Sequence, residues 1–287
     1  MRLSIVGSGL IGGSIALAAR RHLPDARIVV IDRDRAVLDT ALRTNLADEG
    51  GPDLALAGGS DIVVLAAPVR QNIDILNALP GAVAGELLVT DVGSTKVAIA
   101  EAGRALPPRI RFIGGHPIAG AASGGIESVR RDLFHGRPWV LTPLDPLDLI
   151  RNDDEHRTPS GDLERIERFV SALGAAPCRL SPLAHDRLMA YVSHLPQLAV
   201  SALMQVVGDR VQHDGLLLAG NGLRDTTRLA SSPAGTWRDI VSTNGSTLGA
   251  ALDDLIAALQ RLRDDLDRGE ELEKVFDAAQ RWKGFLQ

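Results

Sequence analysis

A single cysteine, Cys178, and a single tyrosine stand in 287 residues, and aromatic residues make up only 3%. One cysteine rules out an intrachain disulfide and a cysteine-cluster metal site, and no metal is expected. No apolar run reaches the roughly 18 residues of a membrane span. The first apolar strand begins at about Leu3, which leaves no length for a secretory leader. A cytoplasmic, soluble protein with no membrane partner is expected. Long basic runs are also missing, and the net charge of −5 offers no broad attraction to nucleic acid. Neither an internal repeat nor a low-complexity tract is present. What remains is a chain with 45% apolar residues, long enough for two domains with cores of their own.

The amino-terminal end carries the clearest pattern. Leu3–Val6 reads as a buried strand, and Gly7-Ser8-Gly9-Leu10-Ile11-Gly12 follows at once. An alanine-rich helical stretch then runs through Arg20, and Arg27–Ile31 forms a second strand closed by Asp32. In such a unit the first glycine makes a tight turn and the second lets backbone approach a pyrophosphate. The third packs helix on sheet, so the helix N-terminus faces the phosphates. Gly7, Ser8, Gly9, Leu10, Ile11 and Gly12, with Ala67-Pro68 after a later strand, are therefore the expected dinucleotide contacts. Asp32 would accept from the adenosine ribose and repel a 2′-phosphate, which favours NAD over NADP. Arg33 and Arg35 pull the other way, because a nearby arginine accommodates that phosphate; Arg33 is counted among the cofactor contacts.

Short apolar runs alternate with helical stretches up to about residue 180. They are Asp61–Ala67, Leu87–Asp91, Arg111–Gly114 and Trp139–Thr142, and they predict a mainly parallel sheet with helices on both faces. Asp145–Asp162 is polar and charged and reads as an exposed loop before a helix at Leu163–Leu173. After Pro182 the strand signals stop. Ala184–Val207, Gly215–Ala219, Ser246–Arg268 and Glu270–Phe285 read as helical. The expected division is 1–180, binding the dinucleotide, and 181–287, a helical domain serving as lid and dimerisation surface.

His116 lies in Ile113-Gly114-Gly115-His116-Pro117-Ile118-Ala119-Gly120, just after a predicted strand. A neutral imidazole there can take the proton of a carbon-bound hydroxyl while a dinucleotide takes the hydride. The plainer alternative is a histidine that fills a strand end. Ser94, in Asp91-Val92-Gly93-Ser94-Thr95-Lys96, reads on its own as the N-cap of a helix starting near Thr95.

These pieces, in this order, resemble the prephenate/arogenate (cyclohexadienyl) dehydrogenase family. The glycine turn, Ala67-Pro68-Val69, Asp91–Lys96 and Gly115–Gly120 continue with Ser193-His194-Leu195-Pro196, Asp225-Thr226-Thr227-Arg228 and Trp237-Arg238-Asp239, and cover nearly the whole chain. The resemblance implies an α/β Rossmann-like domain followed by an all-α dimerisation domain, so a homodimer is expected. Some members add a regulatory ACT domain, for which this chain ends too early. The implied reaction is oxidative decarboxylation of prephenate to 4-hydroxyphenylpyruvate with NAD. It makes His116 and Ser94 catalytic and puts Arg228, Ser193, Gln197 and Trp237 at the substrate. Lys96 is expected to support its loop, and the role of His194 stays open.

Three positions depart from the family pattern. Gln197 stands where many members have a histidine, Ala122 where several have an acid, and Asn221-Gly222 where glycines are common. Without an acid at Ala122 to meet an ammonium, prephenate is expected to be a better substrate than arogenate. Arogenate or 4-amino-4-deoxyprephenate as substrate, another Rossmann dehydrogenase, and a non-catalytic NAD sensor remain open at this point.

Overall fold

Short runs of valine, isoleucine and leucine, bounded by glycine, proline and aspartate, assemble into one sheet. The computed structural model describes residues 1–120, 125–144 and 161–286. Within them the first layer of the chain is β1 (Arg2–Val6), α1 (Leu10–His22), β2 (Arg27–Ile31), α2 (Arg35–Arg43), β3 (Glu49–Gly51), β4 (Ile62–Leu65), α3 (Val69–Ala82), β5 (Leu87–Asp91), α4 (Val97–Arg104), β6 (Ile110–Pro117), β7 (Pro138–Thr142), α5 (Gly161–Ala172) and β8 (Ala176–Arg179). The strand order is β3-β2-β1-β4-β5-β6-β7-β8, and every pair is parallel except β6 with β7.

Alternate residues of each parallel strand face opposite sides of the sheet. Leu3, Ile5, Ile28, Val30, Ile62 and Val64 pack on one side with Ile15 and Ala19 of α1. Val6, Val29, Ile31, Val63 and Leu65 pack on the other with Leu76 and Leu79 of α3. Both faces are covered, as a parallel sheet requires. Truncating one of these fully buried side chains to alanine costs about 2–5 kcal/mol.

The helical part follows. It consists of α6 (Pro182–Met189), a π-helical turn at Ala190–His194, α7 (Leu195–Leu216), α8 (Asn221–Thr226), a 3-10 turn at Arg228–Ser231, α9 (Ala234–Asp264) and α10 (Glu270–Lys283). Ser181 starts α6 by accepting from Ala184 N at 3.2 Å, with Pro182 in the first turn. The π turn has a local cause. Pro196 carries no N–H for the ordinary ladder, and the preceding turn widens. No helix among the described residues is long and apolar enough to cross a membrane.

Several boundaries differ from the sequence reading. β3 and β8 are edge strands that the hydrophobic pattern does not reveal, since Glu49-Gly50-Gly51 and the exposed Ala176–Arg179 bury little. Gly215–Ala219 is the end of α7 and a turn, because α7 continues past Val207 to Leu216, with a break at Gln212. α9 runs from Ala234 to Asp264 with a break at Asn244, so the stretch expected from Ser246 is its second part, preceded by a segment from Ala234 that the sequence reading lacked. Residues 145–160 of the expected loop and Ala122 lie outside the described residues.

Candidate active site

The carboxyl ends of β1, β2, β4, β5 and β6 meet along one edge of the sheet. Gly7, Asp32, Ala67, Ser94 and His116 lie at those ends, the usual position for ligands on an open α/β sheet. A cleft of about 410 Å³ occupies the first part of this edge, lined among others by Gly7, Ser8, Gly9, Asp32, Arg33, Ala67 and Pro68.

The cleft fits a dinucleotide. Gly7 has φ +94°, and a Cβ there would lie 2.9 Å from the Ala66–Ala67 backbone. A Cβ on Gly12 would overlap the Gly7 carbonyl, whereas one on Gly9 would meet only open space. The N-terminus of α1 has no side-chain cap, so its first N–H groups and the helix dipole are free for an anion. The buried Ser8 Oγ has no hydrogen-bond partner among the described residues. Asp32 accepts from Ser8 N at 2.9 Å and from Asp34 N at 3.0 Å, one bond on each oxygen, which leaves lone pairs for a ribose. Arg33 donates to Gln71 Oε1 at 3.0 Å, at the other wall of the cleft. Leu10 and Ile11, half-buried, pack their side chains against the core.

His116 is not just past a strand but within β6. The antiparallel partner β7 extends the pairing, with His116 opposite Val140. On its other side β6 lies close against the end of β5, where a Cβ on Gly115 would lie 2.5 Å from the Asp91 carbonyl. The half-buried imidazole of His116 turns its Nδ1 to His185 Nε2 at 2.8 Å. His185 Nδ1 in turn meets Asp186 Oδ1 at 2.7 Å. Asp186 also accepts from Lys96 N at 2.7 Å and Val97 N at 2.9 Å. This carboxylate therefore caps α4 from the second domain, and Asn244 Nδ2 holds its main-chain carbonyl at 2.9 Å.

The cap corrects one reading of Ser94. Ser94 makes no cap bond; it is half-buried, with its hydroxyl uncommitted among the described residues. Lys96 supports its loop as expected, fully buried, pairing with Asp91 and donating to Gly115 O at 2.8 Å.

Burial is the largest cause that holds His116 well below its ordinary pKa, followed by the neighbouring His185, Lys96 and His194. His185 is likewise lowered by burial, against the pull of Asp186. His194, 1% exposed, is pushed down to about 4 by burial, and its Nδ1 has no partner among the described residues. Its ring stands edge-on to Trp237, with centroids 6.1 Å apart. His194 and Trp237 thus join the same edge as His116.

The remaining expected contacts divide. Ser193 is exposed on the π turn. Arg228 is exposed and has no ion-pair partner among the described residues, as suits a guanidinium kept for an anionic ligand. Gln197 is different. Both of its donors are spent on Ser201 Oγ and Leu229 O, and its Oε1 accepts from Ser232. It ties the Arg228 turn to α7, so its expected substrate contact is replaced by a structural one. Sequence reasoning missed His185 and Asp186; the signal was a His-Asp pair just after the Ser181-Pro182 helix start.

Such a fold, with a glycine cradle and a neutral imidazole on one sheet edge, defines a two-domain dinucleotide-dependent dehydrogenase. Family models divide it in the same sense. Residues 15–175 match the prephenate dehydrogenase nucleotide-binding domain, and residues 181–278 match the prephenate dehydrogenase dimerization domain. The chain belongs to the prephenate dehydrogenase family.

Among its relatives, a prephenate dehydrogenase of Bacillus subtilis is 31% identical over 95% of this chain and 71% of its own length. A crystal structure of prephenate dehydrogenase from A. aeolicus, in complex with hydroxyphenyl propionate and NAD+, superposes with a TM-score of 0.87 at 28% identity. It covers 100% of this chain and 98% of that one. Synechocystis arogenate dehydrogenase gives 0.82 at 29% identity, covering 100% of both chains.

Proposed function

We propose that this chain oxidises and decarboxylates prephenate to 4-hydroxyphenylpyruvate with NAD, dividing the work between residues 1–180 and 181–287. The observation that carries the reading is His116, held neutral at the strand ends beside the dinucleotide cleft. A bound nicotinamide would supply the hydride acceptor for the substrate carbon that bears the hydroxyl. Gly7–Gly12 would hold the pyrophosphate and Asp32 the ribose, with Arg33, Ala67 and Pro68 lining the same cleft. Asp32 disfavours a 2′-phosphate, and Arg33 is drawn to Gln71, so NAD is preferred over NADP.

His116 takes the hydroxyl proton, with Ser94 beside the same oxygen. Loss of the ring carboxylate as carbon dioxide then makes the ring aromatic. Arg228 meets a substrate carboxylate with its two-pronged guanidinium, Ser193 adds a hydroxyl, and Trp237 walls the pocket. The protein acts as a homodimer through its helical domain. Its charged substrate and cofactor do not cross bilayers unaided, which supports a cytoplasmic location.

Arogenate is the second reading, favoured by the likeness to the Synechocystis enzyme. The test is NADH formation followed by absorbance with prephenate and with arogenate at equal NAD and pH. Prephenate should give the higher kcat/KM, with measurable arogenate turnover. A tenfold or greater preference for arogenate would reverse the substrate assignment. No turnover of either, with intact NAD binding, would leave a sensor.

A further inference from the structure

We propose that His185, locked by Asp186, is the positioning residue that fixes the tautomer of His116 and leaves His116 Nε2 as the proton acceptor. The inference rests on the reading of His116 as the base, and it is carried by a directional chain of hydrogen bonds. Asp186 accepts at both oxygens, from the Lys96 and Val97 N–H groups, so the group bonded to Oδ1 at 2.7 Å from His185 is a donor. His185 Nδ1 therefore carries the proton. In a neutral imidazole only one nitrogen does, and His185 Nε2 is left as an acceptor. His116 Nδ1, 2.8 Å away, must then be the donor in that pair. Its Nε2 is left bare.

The chain is buried where it matters: His185 is 0% and Asp186 1% exposed. Water is excluded as a competing partner, so the bond direction set at Asp186 is transmitted. The titratable groups facing this pair are Asp91 at the end of β5, Lys96 from the β5–α4 loop, Asp186 from α6 and His194 from the π turn. Lys96 opposes a positive charge on either ring, and burial disfavours one further. His185 thus stays a neutral acceptor while His116 works. In the reaction the substrate O–H bond breaks and its proton joins the His116 Nε2 lone pair. The Nδ1 proton remains between His116 and His185, and no proton travels further.

Two measurements on the full-length protein with NAD present test this. Long-range proton–nitrogen spectra of histidine-labelled protein, above pH 7, report which ring nitrogen carries the proton. The His116 signals are those lost in His116→Asn. Wild-type protein should show His116 protonated at Nδ1 and bare at Nε2; the opposite tautomer overturns the proposal without any variant at 185. The second measurement compares His185→Leu with His185→Gln, whose amide oxygen can accept in place of Nε2. The leucine variant should lower kcat about 10- to 100-fold, with substrate KM within about twofold, as expected when an orienting partner is lost. It should also move the His116 proton to Nε2, and glutamine should restore part of the rate. Wild-type kcat and tautomer in His185→Leu would sink the positioning role while leaving His116 as base. Near-normal turnover by His116→Asn is a separate result, and it would remove the base itself.

Discussion

Three of the seven histidines, His116, His185 and His194, are drawn from separate parts of the chain to one sheet edge. Each is neutral at physiological pH because burial penalises the imidazolium. For catalysis the sign is simple. The neutral form of His116 is the competent one, so activity is present above its folded pKa and lost as pH falls through it. With that pKa well below 6.5, the acid limb of kcat/KM should lie below pH 6.5. An acid limb centred at or above 6.5 would mean that His116 is not the group being titrated. Stability follows the same direction: the unfolded chain takes the protons first, so stability is full above pH 6.5. His194 contributes to its loss between there and about pH 4. At this scale the sequence reveals His116 through its glycine-rich strand end. It hides His185, because the contact joins residues 69 apart through a fold that no local pattern encodes.

Helix α4 shows how one element depends on another domain. Its N-terminus follows Ser94-Thr95-Lys96, and local spacing suggests the serine as cap. The acceptor is instead Asp186, 90 residues away at Lys96 N. The reason is steric and electrostatic together: α6 packs against α4, and a buried carboxylate at a helix N-terminus gains from both hydrogen bonds and dipole. Asp186→Ala should therefore cost about 2–4 kcal/mol of unfolding free energy, from the lost cap and from buried donors left unpaired. Urea unfolding monitored by circular dichroism measures this, and a loss under about 0.5 kcal/mol would show that α4 finds another cap. Strand prediction succeeds where both faces are buried, as in Ile62–Leu65, and fails at the edges. Nothing apolar marks Glu49–Gly51, and β6 reaches His116 only because β7 pairs antiparallel with it.

For the molecule as a whole, the two domains are unequal in their cores. The sheet is covered on both faces, but α7 buries only Gln197, and no residue of α10 is buried. Large apolar side chains instead face outward: Val206 on α7 is 61% exposed, Leu259 on α9 56% and Phe276 on α10 59%. Their helical spacing is legible in the sequence; which surface covers them is not, since periodicity gives a face and no partner. Helices this apolar and this exposed are not a stable end state for one chain in water. A second copy, applying the same helices about a two-fold axis, would bury them on both protomers at once. Sedimentation equilibrium at micromolar concentration should therefore give twice the 30.4 kDa chain mass. The double variant Leu259→Glu, Phe276→Glu should shift the population toward monomer and make the thermal midpoint depend on protein concentration, because folding of the helical domain is then linked to association. A wild-type mass of one chain would refute the dimer. A double variant that stays dimeric with an unchanged midpoint would move the interface away from α9 and α10, and leave α7, with Leu203 and Val206, as the face to alter next.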